Sequence, residues 1–491
     1  MSPTATRASL RLGPPVEPPP LIPSVYGPPI PSLRGKDIPG MGSLPVERLF
    51  PDIEPAIYTG GPDASAVRAA TERALADVDM SMIRPDQRVH VVCSEHGFGF
   101  VDGRAYAEML GVIREQVQQR TGCQNVRLVV VAWHGRKEPR ELVSFFGLDE
   151  RYEGRIVEAT PLDQGVEIDT VLGPLFGLRK IYSADWIIHT HYDDPREVYA
   201  HRMMDRITKP FGMSYARMET RSIFHMQMGP RSGNLIGRAI ADSDFVRSKL
   251  AFCAVLQSSP AGIRAVDADN DLDGLGDRVT AGMLRTYGKM LTLFRSVDEC
   301  IPIIDGSKWP YYNHAGGMIF GQLFFNGRDW LDLDLPDETG SLERLLGSAV
   351  SLGIRSVVFN HALTGLTVLA LPVMYPVVVA NPGMAQAMRQ DFGNPEFMDY
   401  AEEAADLLEA VEIARERGGS DNLMVFDGTF GAINCTPAMA EHMLARAPAA
   451  AASVDTELLP RWLKQRGIDP DGLRLPTTDA AVSRGDAPSG R

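Results

Sequence analysis

Short apolar runs that alternate with amphipathic helical stretches predict an α/β chain: two α/β domains with mainly parallel sheets and an interdomain cleft. Two observations carry this. Runs such as Val126-Arg127-Leu128-Val129-Val130-Val131 are nearly continuous in β-branched and aliphatic residues, the pattern of strands covered on both faces. The intervening stretches repeat their apolar positions at helical spacing, so each strand is followed by a crossover helix rather than a hairpin.

In order, Ala64–Val78 reads as an amphipathic helix, Arg88–Cys93 as a strand, Asp102–Thr121 as a long helix and Val126–Ala132 as the next strand. Glu138–Phe146 is a short helix whose Pro139 suits a first turn. Asp185–His189 is another buried strand. The series resumes after Gly233: Asp242–Leu256 passes from helix to strand, Asp277–Leu293 is a helix, and Cys300–Ile304 a strand. Leu342–Leu352 is then a helix, Ser356–Asn360 and Val377–Ala380 are strands, and Met398–Arg417 is a long acidic helix before a last strand at Asn422–Phe426. Ala445–Ala452, interrupted by Pro448, reads as a helix end or linker. The expected division is a Pro-rich tail over 1–50, a first α/β domain over 51–240, a second over 241–476, and a loose polar end over 477–491.

The chain has 491 residues, 44% of them hydrophobic, and a net charge of −14. It has no basic block interleaved with aromatics, so nucleic acid is not expected as a partner. The five cysteines are scattered without a Cys-x-x-Cys pair, which fits a reducing compartment and argues against a cysteine zinc site. No basic-then-apolar leader is present, and a cytoplasmic protein is expected. The uncharged stretch from Ala362 to Asn381 approaches the roughly 20 residues of a membrane span. Pro372 and Pro376 break it, so it reads as two buried elements and no membrane partner is expected.

Four groups of residues invite chemistry. His134 follows a buried strand, and Lys209 and His225 come later in one stretch; imidazoles and an amine in one cleft suit proton transfer, metal ligation or cofactor attachment. Each alone has a plainer reading as a structural histidine or a solvated lysine. His189-Thr190-His191 at a strand end puts two imidazoles on one face, with Asp193 or Asp194 near; this is the seed of a rival reading as a His/Asp metal hydrolase. Asp267, Asp269, Asp271, Asp273 and Gly274 resemble a calcium loop, but Thr280 stands where a bidentate glutamate belongs, which favours an acidic surface turn. Gly97-Phe98-Gly99 after a strand either offers amides to an anion or turns the chain. Walker, G-x-G-x-x-G and G-x-S-x-G patterns are absent.

Taken in order, these segments resemble the lactate racemase family, over about residues 80–235 and more faintly to 320. The matching segments are Val92-Cys93-Ser94-Glu95-His96-Gly97-Phe98, Ala132-Trp133-His134-Gly135-Arg136, the helix from Pro139 to Gly147, Ala184-Asp185-Trp186-Ile187-Ile188, and Lys209 with His225. The resemblance implies a nickel-pincer nucleotide tethered at Lys209, with Glu95 also at the cofactor and His225 on the nickel. It implies His134 as one acid/base and His201 as the second, with Tyr199 and Arg196 as rivals for that position. The implied activity is racemisation or epimerisation at the hydroxyl-bearing carbon of a small 2-hydroxy acid. A homo-oligomer is left open. The sequence departs from the family where Phe98 stands near the position of an arginine and where Met203–Thr208 replaces glycines ahead of the lysine. These departures make simple lactate an unfavoured substrate and keep a non-catalytic acid-binding relative as a third reading.

Overall fold

A computed structural model describes residues 10–21, 27–132, 136–193, 207–226, 233–306, 329, 331–334, 353–362, 371–390 and 396–469. It is an α/β protein built on two mainly parallel sheets. The first sheet has six strands in the spatial order Ile156–Ala159, Val126–Val131, Val89–Ser94, Trp186–Tyr192, Leu250–Ser259 and Gly262–Asp269. All neighbours are parallel except the last pair, which is an antiparallel hairpin. The second sheet runs Gly42–Pro45, Ala432–Cys435, Asn422–Phe426, Cys300–Asp305, Val357–His361, Val377–Val379 and Glu402–Glu403.

Both faces of both sheets are covered, which explains the near-continuous apolar strands. One core unites Val91 and Cys93 of the first sheet with Ile304, Phe359 and Phe426 of the second, and the long helix Leu272–Arg295 contributes Met283, Leu284, Met290 and Leu291 to it. Each such side chain stabilises the fold by about 1.5–3 kcal/mol on burial. The outer face of the first sheet packs Val92, Val129 and Ile187 against Phe211 and Tyr215. The outer face of the second packs Ile301, Ile303 and Val358 on the helix Leu407–Gly418.

The expected domain borders shift in two places. Leu250–Ser259 hydrogen-bonds to Trp186–Tyr192, so the first sheet continues to Asp269, past the border expected at 240. The described residues of the Pro-rich segment, 10–21 and 27–50, lie along the second sheet. Gly42–Pro45 pairs with Ala432–Cys435 at the edge of the second sheet, Gly13 and Ser43 exchange backbone hydrogen bonds, and Arg34 donates to Asp305 at 3.0 Å. The 477–491 segment and the helix expected at 342–352 lie outside the described residues.

Two expected elements also change. Met398–Arg417 is not one helix: Glu402–Glu403 pairs with Val378 and Val379, and Asp406 then caps a new helix by accepting from the amides of Leu408 and Glu409. The alanine-rich stretch is neither a helix end nor a linker, since the helix Pro437–Ser453 runs through Pro448. Within 362–381 the described part forms a short helix, Leu371–Met374, and the strand Val377–Val379. Among the described residues, no helix is long and apolar enough to cross a membrane.

Candidate functional site

In the first sheet the chain winds outward from Val89–Ser94 through Val126–Val131 to Ile156–Ala159, then returns to the other flank with Trp186–Tyr192. The strand order therefore reverses between Val89–Ser94 and Trp186–Tyr192. Ligands of open α/β sheets bind at the carboxyl ends of strands at such a reversal. Glu95 and His96 follow the first of these strands, and His191, Tyr192 and Asp193 end the second. His134 stands just past Val126–Val131, but it lies outside the described residues, as do His201, Tyr199 and Arg196.

Glu95 is buried in a short 3-10 turn, Glu95–Gly99, opened by Ser94, whose hydroxyl accepts from the His96 amide. The same turn answers the question raised by its glycines. A Cβ at Gly97 would overlap the Tyr106 ring, so this glycine serves close packing. Arg221, on the helix Met218–Met226, is buried as well. Its Nε donates to the Met213 carbonyl at 2.6 Å and its Nη2 to that of Ser214 at 3.2 Å. Burial lowers this guanidinium to about 10, and the Glu95 charge pulls it back upward. A buried cation and a buried carboxylate thus share the carboxyl edge of the sheet. Sequence reasoning did not single out Arg221.

Lys209 opens a short helix, Lys209–Gly212, with Pro210 in its first turn, and only 9% of the residue is exposed. Two residues earlier, the Ile207 carbonyl accepts from His189 Nε2 at 2.9 Å, which docks this segment on the strand Trp186–Tyr192. Gly237 packs against the backbone of Thr208 and Lys209, where an added Cβ would overlap the Thr208 carbonyl. The Thr208 hydroxyl is buried without a hydrogen-bond partner among the described residues. The structure thus brings Lys209 to the strand that ends in His191 and Asp193. His225 lies on the same helix as Arg221, but its side chain is outside the described set.

His189 does not behave as a metal ligand. Its Nδ1 meets the Tyr215 hydroxyl at 2.6 Å and its Nε2 the Ile207 carbonyl, so both ring nitrogens are taken by the protein. Burial holds its pKa down at about 4. Asp193 Oδ1 accepts from the Ser258 amide and hydroxyl, both at 2.7 Å. The His189/His191/Asp set of the hydrolase reading loses its first ligand in this way, and among the described residues no group of three His, Cys, Asp or Glu is placed to hold a metal ion. The aspartate run forms an acidic turn: Arg278 bridges Asp267 and Asp269, Asp271 accepts from the Asp273 amide, and Asp273 pairs with Arg238.

A scan of the chain against protein-family models finds no matching family, and a search of curated proteins finds no match either.

Proposed function

We propose that the chain is a racemase or epimerase acting at the hydroxyl-bearing carbon of a 2-hydroxy acid, with a nickel-pincer nucleotide held at the carboxyl edge of the first sheet. The observation that supports this reading is the burial of Lys209 on a segment that His189 docks on Trp186–Tyr192, one of the two strands at the order reversal. The described residues fit such a group in one respect: Lys209 is withdrawn from solvent next to a Thr208 hydroxyl with no hydrogen-bond partner among the described residues.

On this reading Lys209 would hold the cofactor through its amine, His225 would be the nickel ligand and Glu95 would bind the cofactor. Bound there, the group would supply a reversible hydride acceptor for the substrate carbon. His134 takes the hydroxyl proton as the hydride departs, which leaves a planar keto acid. A second acid/base on the opposite face, for which His201 stands first, returns the proton for the inverted product. Two acid/bases are needed because the keto acid must turn over to present its other face to the same hydride donor, which carries its oxygen from the first imidazole to the second.

The test is intact-protein mass and metal analysis of the chain produced with nickel and the pincer-cofactor biosynthesis genes. An adduct mapped to Lys209, with about one nickel per chain, is expected, because an assembled site binds metal through deprotonated ligands. Lys209→Ala should lose the adduct entirely. An unchanged adduct on that variant, or no adduct on the parent chain, overturns the reading.

A further inference from the structure

The hairpin that ends the first sheet contains a bulge: Gln257 pairs with Ala265 and Ser258 with Ile263, leaving Arg264 as the extra residue. A bulge turns a side chain away from the regular alternation. Here the guanidinium of Arg264 lies against the helix Leu272–Arg295 at Gly282, where a Cβ would overlap Nη2. Arg264 is 5% exposed, and its Nε and Nη2 are buried without a hydrogen-bond partner among the described residues. Beside it on the partner strand, the fully buried Gln257 has neither its amide oxygen nor its amide nitrogen bonded. Cys253 and Val255, which precede Gln257 on the same strand face, pack with Leu275 and Val279 of that helix and with Ile207, two residues before Lys209.

Buried polar groups are almost always satisfied, and an uncompensated buried guanidinium is costly. Asp267, on the same strand, is engaged by Arg278. The Arg278 pair shows what is missing. There Nε and Nη2 take the two oxygens of Asp267 at 2.9 and 3.0 Å, the side-on fork that guanidinium makes with a carboxylate. In Arg264 the same two nitrogens have no hydrogen-bond partner among the described residues.

We propose that Arg264 and Gln257 form a carboxylate-binding subsite in which Arg264 Nε and Nη2 hold the acid end of the substrate. The Gln257 amide hydrogen-bonds the substrate hydroxyl or a remaining carboxylate lone pair. This deepens the reading above, on which it rests for the identity of the acid as a substrate. Gly282 belongs to the same device, since it makes the space in which the guanidinium lies.

The experiment is isothermal titration of the chain prepared without nickel or pincer cofactor, with acetate, lactate and gluconate as probes and lactamide as the neutral control. At least one carboxylate is expected to bind and lactamide is not. Arg264→Met should weaken that binding by roughly 10- to 100-fold, the worth of hydrogen bonds to a charged group. Without ligand, Arg264→Met should also unfold at a higher urea concentration than the parent, because the uncompensated charge is gone. Gly282→Ala, which displaces the guanidinium and keeps a good helix former, is the second variant and should lose binding likewise. Failure of every carboxylate to bind, or parent-like binding by either variant, overturns the subsite. The two proposals fail separately: carboxylate binding without a Lys209 adduct removes the racemase reading alone, and an adduct without carboxylate binding removes this one alone.

Discussion

His189 is the residue at which sequence and structure part most clearly. From the sequence it pairs with His191 as a ligand on one strand face. In the fold it is a buried neutral ring that links Tyr215 to the Ile207 carbonyl and so holds the Lys209 segment on the sheet. Its pKa, held at about 4 by burial against an ordinary value of 6.5, has a consequence for stability. Between those values the unfolded chain carries a proton that the folded protein does not, so stability falls as pH drops from 6.5 toward 4. His90, with Nδ1 against the Ile181 carbonyl and also held near 4, acts in the same window. In urea titrations across pH 6.5 to 4.5, His189→Gln should show a shallower acid limb than the parent chain. The difference approaches one proton, or about 1.4 kcal/mol per pH unit. Parallel limbs would show that this ring is not buried neutral. Lys209 and Glu95 were visible in the sequence through the order of segments that resembles the lactate racemase family. Arg221, Arg264 and Gln257 were not, because a polar residue inside an apolar run carries no mark of whether a partner awaits it.

At the scale of elements, strands buried on both faces were the most legible. Val126–Val131 is apolar but for Arg127 and Val357–His361 opens on Val-Val-Phe, and they form close to the expected bounds. The hairpin Gly165–Thr170 with Gly173–Leu178 was missed because it is half-exposed and packs few apolar side chains inward. The strand Gly42–Pro45 was missed because its partner comes from the other end of the sequence. Pro448 misled in the opposite direction: it reads as a breaker, yet the helix continues, with this residue on its exposed side. Proline removes one backbone hydrogen bond and crowds the carbonyl of Leu444, so Pro448→Ala should stabilise the protein. The expected gain is about 1–3 kcal/mol, reduced somewhat by the freer unfolded chain, and is read as a higher urea midpoint at unchanged slope.

For the whole molecule, the N-terminal segment is the main revision. Arg34 closes on Asp305, a carboxylate buried at the end of a central strand of the second sheet, with Asn360 and the Gly35 amide as further donors. Burial pushes Asp305 up to about 6, against the pull of Arg34, and the Asp427 charge adds to the push. Arg34→Ala should cost about 3–5 kcal/mol at pH 8, where it leaves an unpaired buried charge. The loss should shrink toward pH 5, because a carboxyl whose folded pKa is raised becomes neutral as pH falls through it. Unfolding free energies at the two pH values check this; an equal loss at both would mean that Asp305 is neutral, or solvated, throughout.

The pairing of Gly42–Pro45 with Ala432–Cys435 also sets an order of events in time. The strands of the first sheet lie together between Val89 and Asp269, so that sheet closes through comparatively local loops. The edge of the second sheet has to wait until Ala432–Cys435 has left the ribosome, and until then residues 42–45 have no ladder to join. Pulsed hydrogen exchange during refolding should accordingly find the amides of Val89–Ser94 protected before those of Gly42–Pro45.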